Sequence, residues 1–260
     1  MRLAAAFGHF QFLKIAVSAA LVPTLIAIFK NPFLIFRPHE ILHIFMAHAW
    51  TQLGDDTDRD SRPVKEGLLP DNCSGVVLDV GAGRGHSALY LDPTKVTKYI
   101  ALEPNVLMHA ELRANAAKTG FTEDAGTFLI LPYGAEHVAL IVSALGGAHA
   151  VDTLAFIQSL CSIPNPEATL HALVNEALKP GGTMLFYEHV LSPREDVAWW
   201  QRFWAPMWMF VMDGCRMDRP THVWIEKMDV WAEGSMWGKP DEPEEFLFWH
   251  RVGRYVKKAN

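Results

Sequence analysis

The chain has 260 residues, of which half are hydrophobic and nine are tryptophan, and its formal charge is -6. That length holds one large α/β domain with decorations and a sizeable core, while an acidic balance without a basic stripe excludes a nucleic-acid surface. The three cysteines, Cys73, Cys161 and Cys215, are too few and too far apart for a disulfide framework or a C-x-x-C metal site, and they fit a reducing compartment.

In chain order, the first feature is an uncharged apolar run over residues 15–29, flanked by Lys14 and Lys30. It falls short of the roughly 20 residues that span a bilayer as a helix, and extending it over residues 7–13 buries Lys14. No small-residue cleavage site follows cleanly, which argues against a signal peptide. Apolar and aromatic residues continue over 33–36 and 41–46, with His and Arg between them. This pattern suits a headgroup boundary, so residues 1–54 are expected to form a hairpin or interfacial membrane anchor. The alternative is a water-soluble helix packed over the active site. His39-Glu40-Ile41-Leu42-His43 matches the zinc motif H-E-x-x-H. Pro38 places His39 in a frayed first turn, however, and no third ligand stands at a recognised spacing, so no metal site is expected. Residues 54–63 are charged and turn-rich. The pattern predicts a break there, a linker over 55–74, and a catalytic domain over 75–260.

Residues 76–80 read as a buried strand. They end in Asp79-Val80-Gly81-Ala82-Gly83-Arg84-Gly85-His86, and a short helix is expected over 87–91. Glycines belong where backbone must approach a ligand closely. The dinucleotide fingerprint G-x-G-x-x-G is not met, since His86 stands in the place of its third glycine. An acid followed by Gly81, Gly83 and Gly85 suits S-adenosylmethionine better. That cofactor has no pyrophosphate, and its ammonium favours a nearby carboxylate such as Asp79. A second strand over 98–102 ends in Glu103-Pro104-Asn105. Glu103 stands about 20 residues past the glycines, where an acid takes ribose hydroxyls, with Asn105 beside it. A helix is predicted over 106–118, stopped by Gly120.

A third strand over 127–131 leads into Pro132-Tyr133-Gly134-Ala135-Glu136, where Gly134 and Ala135 are the expected adenine contacts. A fourth strand over 152–157 leads into Gln158, expected to wall the methionine side, and Cys161, read as inert packing. A helix over 166–178 is stopped by Lys179-Pro180-Gly181-Gly182, and a fifth strand over 183–187 ends at Glu188-His189. These strand ends should line one crevice. The Trp-rich stretch 197–211 is either core or a greasy lid over an acceptor pocket. His189 is the preferred general base, and Asp213 a second candidate that would orient the acceptor. Strands over 227–231 and 245–255 are expected to finish the sheet.

At this point a resemblance is specific. Leu178-Lys179-Pro180-Gly181-Gly182, Phe186-Tyr187-Glu188-His189-Val190, Trp200-Gln201, Leu160-Cys161-Ser162 and Asp213-Gly214-Cys215-x-x-x-Arg219 resemble the membrane-anchored methyltransferase-like 7 proteins, the alkyl thiol methyltransferases. The resemblance covers roughly residues 75–260. It implies a Rossmann-like class I methyltransferase fold with a mostly parallel seven-stranded sheet, S-adenosylmethionine as donor and lipophilic small-molecule acceptors. It also implies association with the endoplasmic reticulum or lipid droplets, the catalytic domain facing the cytosol. The glycine loop departs from the family's Gly-Cys-Gly-Thr-Gly, so the acceptor stays open among S, O and N. A tailoring enzyme of natural-product biosynthesis, or a non-catalytic membrane adaptor that keeps the fold, are the alternatives.

Overall fold

The computed structural model describes residues 1–259. Helices α1 (Leu3–Ala6), α2 (Phe10–Lys30) and α3 (Pro38–Asn72) precede the sheet. Helices α4 (His109–Lys118), α5 (Val138–Ala144), α6 (Pro166–Ala172), α7 (Glu195–Val211) and α8 (Thr221–Lys227) lie between strands. The strands are β1 (Gly75–Val80), β2 (Val96–Leu102), β3 (Phe128–Leu131), β4 (Val151–Ile157), β5 (Leu178–His189), β6 (Trp231–Gly238) and β7 (His250–Lys257). They form one seven-stranded sheet in the order β3-β2-β1-β4-β5-β7-β6. The first five are parallel and β7 runs antiparallel to both neighbours. The order reverses between β1 and β4, and a sheet of this kind binds ligands outside the strand ends at that switch point.

The alternation of side chains along a strand sorts the core into two layers. Leu78, Val80, Ile100 and Leu102 face Ile141 of α5, Leu170 of α6 and Ile225 of α8. Val77, Tyr99 and Ala101 face the other way, onto Val64 and Leu68 of α3 and Leu112 and Ala116 of α4. Both faces are covered, as a parallel sheet requires.

The expected break over residues 54–63 and the linker over 55–74 are not breaks in the backbone: α3 runs through them to Asn72. Tertiary contacts override the turn-like composition. Asp58 and Lys65 form a buried ion pair at 2.9 Å, and the Tyr90 hydroxyl donates to the Asp58 carboxylate at 3.0 Å. Ser61 donates back to the Thr57 carbonyl at 2.7 Å. Each polar group is satisfied locally, so the helix buries Leu53, Val64, Leu68 and Leu69 without leaving a charge unpaired. The helix expected over 166–178 is α6 followed by a π turn, Leu173–Ala177. Lys257 closes that turn by donating to the carbonyls of Val174, Asn175 and Leu178. Of the strand expected over 227–231, Lys227 ends α8, residues 228–230 turn the chain and Trp231 opens β6, and the sheet is finished by β6 and β7. The β6 edge is exposed along most of its length, so it carries little of the apolar alternation by which strands are recognised.

Near the N-terminus, Leu3–Lys30 is long and apolar enough to cross a membrane. In the fold it lies along α3, burying the small faces of Ala16, Ala20 and Thr24. Phe7 and Phe10 of this region pack on Trp204 of α7 at centroid distances of 5.5 and 5.3 Å. The opposite face, including Val22, Leu25 and Phe29, remains exposed.

Candidate active site

The turn after β1 is built on left-handed backbone, with φ of 73° at Gly81, 55° at Gly83 and 81° at Gly85. At Gly85 a Cβ would stand 2.7 Å from Leu112 Cδ1 and 3.1 Å from Leu112 Cα, so α4 packs here only against glycine. At Gly83 nothing lies within 4 Å of a Cβ position, so this peptide is open to a ligand. The Gly83 N–H donates to Glu103 Oε2 at 2.8 Å, and the Asn105 N–H donates to Glu103 Oε1 at 2.8 Å. Burial pushes the Glu103 pKa up to about 7; the two N–H bonds pull against it, and the charge of Asp213 adds to the rise. An ionised carboxylate offers about four acceptor positions. With two taken by the backbone, two remain for a pair of hydroxyls.

Asp79 is buried as the next-to-last residue of β1, and its Oδ2 accepts from the Tyr99 hydroxyl at 2.9 Å. Burial lifts its pKa to about 6, with the Tyr99 bond and Lys65 opposing. In this arrangement it ties β1 to β2.

Helix α3 lies across the crevice. The Asn105 side chain donates to the His43 carbonyl at 2.9 Å and accepts from the Leu107 N–H at 3.2 Å, while His86 meets Asp55 at 3.1 Å. Asp213, with φ of 45°, brings Oδ2 to 3.7 Å from His43 Nε2. Burial lowers the His43 pKa, with Asp213 opposing. The rings of His39 and His43 lie tilted with centroids 4.0 Å apart, and with Asp213 they bring three ligand atoms within 4.8 Å of one another. Glu40, the base an H-E-x-x-H hydrolase needs, is ion-paired with Arg37 at the surface at 3.1 Å.

On the other side, Glu188 is fully buried and accepts from the Ser159 and Leu160 N–H groups at 2.7 and 2.9 Å. It thereby pins the loop that begins at Gln158, whose side chain lies 3.4 Å from His250 Nε2. His189 is buried with Nε2 at 3.3 Å from Cys215 Sγ, and Cys215 Sγ lies 3.4 Å from Cys161 Sγ. Cys215 has its pKa lowered, chiefly by the hydrogen bond with Cys161, with burial opposing. The same contact and burial hold Cys161 well above its ordinary value. Burial works to lower the His189 pKa, but Cys161 and Glu188 outweigh it and the direction is up. His189, expected as a base facing a free acceptor, thus has Nε2 turned to a thiol. In the third loop the Gly134 carbonyl accepts from the His137 N–H at 3.0 Å and Ala135 is buried.

Residues 40–224 match the family described as methyltransferase domain. Rat thiol S-methyltransferase TMT1B (Rattus norvegicus) is 30% identical over 183 residues, covering 70% of this chain and 70% of that protein. Human TMT1B (Homo sapiens) is 27% identical over 193 residues, covering 74% and 72%. The chain belongs to the methyltransferase-like 7 family of class I methyltransferases. A solved O-methyltransferase family protein from Burkholderia thailandensis shares the fold, with a TM-score of 0.61 at 11% identity over 93% of this chain and 72% of that one. This methyltransferase takes its methyl group from S-adenosylmethionine. The open Gly83 peptide and the two spare acceptor positions of Glu103 fit a donor that carries a ribose diol.

The structure gathers Gly81, Gly83, Gly85, Glu103, Asn105 and Asp213 on the side of the crevice beneath α3. Gln158 and His189 stand at the ends of β4 and β5. The sequence reading missed His43 as a partner of Asp213. It also missed the meeting of Cys161, His189 and Cys215. Parallel pairing of Ile157 with Tyr187 was the available signal for part of that meeting, since it sets the residues following β4 beside His189. Nothing local announced the arrival of Cys215.

Proposed function

We propose that the enzyme transfers the methyl group of S-adenosylmethionine to a thiol on lipophilic small molecules, working at a membrane surface. The donor supplies an electrophilic sulfonium methyl. Glu103 accepts its ribose hydroxyls, and the backbone at Gly81, Gly83 and Gly85 lies along it. Gly134 and Ala135 border the adenine. Asp79 and Gln158 shape the methionine side, the first through its bond to Tyr99, and Asn105 holds α3 over the bound molecule. Asp213 orients His43, whose ring, kept neutral by burial, receives an acceptor proton. A thiol is partly ionised near neutrality and needs little help of this kind. Alignment and exclusion of water supply much of the remaining acceleration.

The observation that carries the acceptor class is the apolar layer beside Asp213. Met46, Leu53, Met108, Trp208, Met212 and Phe248 are buried together where α2, α3 and α7 meet. An apolar wall of this kind favours an apolar ligand body. Membrane association is supported by the exposed Phe29, Phe33, Ile35 and Phe36 at the end of α2 and just after it, and by Trp199, Phe203 and Phe210 on α7. Because α2 packs along α3, we assign residues 1–54 to an interfacial anchor, on the cytosolic face of the endoplasmic reticulum or lipid droplets. The full-length enzyme should be offered labelled donor with alkyl thiols, amines and phenols of matched chain length. Thiols are expected to be methylated fastest, with rates rising with chain length. Turnover of amines or phenols without thiols would replace this assignment with an N- or O-methyltransferase, and no turnover of any class would leave an adaptor.

A further inference from the structure

We propose that Cys161, His189 and Cys215 form a binding site for one thiophilic divalent cation of the zinc class. The three ligand atoms all lie within 4.8 Å of one another, although they come from three distant parts of the chain. Cys215 Sγ is 3.4 Å from Cys161 Sγ and 3.3 Å from His189 Nε2. Around tetrahedral zinc, with bonds of about 2.3 Å to sulfur and about 2.0 Å to nitrogen, those edges are about 3.8 and 3.5 Å. Those two edges therefore need to lengthen by only a few tenths of an ångström to admit the ion.

The surroundings match such a site in three ways. Two thiolates neutralise a divalent ion, so its burial among Trp208 and Phe248 leaves no net charge in an apolar layer. The Trp208 indole N–H donates to Cys215 Sγ at 3.3 Å, the kind of outer contact that orients a metal-bound thiolate. The loop that carries Cys161 is also firmly held and is tied to the segment after Cys215. Glu188 pins the loop before Cys161 through two backbone N–H groups. Arg219 donates to the carbonyls of Leu160 and Ile163 at 2.7 and 2.8 Å. The Arg216 N–H donates to the Cys161 carbonyl at 2.9 Å, which ties the segment after Cys215 to that same loop. Among the described residues no fourth His, Cys, Asp or Glu joins the group. Three protein ligands with one open position is the pattern of a reactive rather than a purely structural zinc.

The test uses the full-length enzyme, purified in detergent with a reductant and no chelator, then stripped and reloaded with zinc or cobalt(II). About one ion per chain is expected by elemental mass spectrometry, with thiolate-to-cobalt charge-transfer absorption in the cobalt form. Both should be lost in the variant Cys161→Ser with Cys215→Ser, with binding of S-adenosylhomocysteine as the check on its folding. If that variant does not fold, X-ray absorption on the zinc-loaded wild type decides, and a shell of two sulfurs and one imidazole nitrogen is expected. Absence of stoichiometric metal and of the cobalt spectrum in the reloaded wild type would overturn the proposal. So would retention of both in the double variant, a shell without sulfur, or a Cys161–Cys215 disulfide in the freshly isolated chain.

Discussion

Around Glu103 the backbone is fixed by short polar contacts between residues close in sequence, whereas around Trp204 the structure is held by aromatic rings drawn from distant segments. Gly83, Glu103 and Asn105 are joined by hydrogen bonds within a stretch of 23 residues. Phe7, His9 and Phe10 reach across the length of the chain to pack tilted or edge-on against Trp200 and Trp204. Directional bonds fix atoms to a geometry that one ligand fits; ring packing tolerates many shapes. The first region therefore suits an invariant donor, and the second a varied apolar acceptor and a lipid surface.

The comparison is tested hardest at the apolar end. Replacing Phe29, Phe33 and Phe36 together by Ser should lower partition onto phospholipid vesicles by about a thousandfold or more, given about 1.5–3 kcal/mol for each fully buried side chain, while leaving donor affinity unchanged. Flotation with vesicles measures the first and calorimetry the second. Point changes are a cleaner probe than deletion of residues 1–30, because α2 covers apolar surface on α3 and its loss would expose Met46 and Ala49.

At the donor end, Gly83→Ala should fold with a loss of about 1–2 kcal/mol for left-handed backbone, since no atom blocks the added methyl. The methyl would point into the space assigned to the donor, so affinity should fall about tenfold or more. Wild-type affinity in that variant would show that the donor lies elsewhere.

The smallest effect concerns pH. Glu103 has its pKa raised to about 7 by burial, so it gains its charge as pH rises through that value, and a charged acceptor binds hydroxyls more strongly. Donor affinity should rise a few-fold across neutrality and then level off. In Glu103→Gln the affinity should be lower and the rise should vanish. A calorimetric pH series on both proteins checks the sign.

The same contrast explains what was legible in the sequence. The strand, three glycines and the acid about 20 residues on are local signals, and Glu103 accepts from Gly83 as that spacing requires. The five parallel strands were likewise foreshadowed by their apolar runs, whereas the exposed edge strand β6 was not. Helix α3 was not, because its Asp58–Lys65–Tyr90 contacts satisfy charges that look like a surface break when seen alone. The thiol cluster escaped for a related reason: Cys161 and Cys215 stand 54 positions apart, and only the return of the chain after α7 brings them together.

The most direct measurement is a titration of the purified enzyme with S-adenosylmethionine beside its Glu103→Ala variant, with thermal unfolding of both as the check on folding. Two lost charge-assisted bonds at about 1.5–3 kcal/mol each predict a drop of about a hundredfold at least and up to about ten-thousand-fold in a variant that still folds. An equal affinity in a folded variant would mean that the ribose is not held at the end of β2, and the assignment of the crevice would fail.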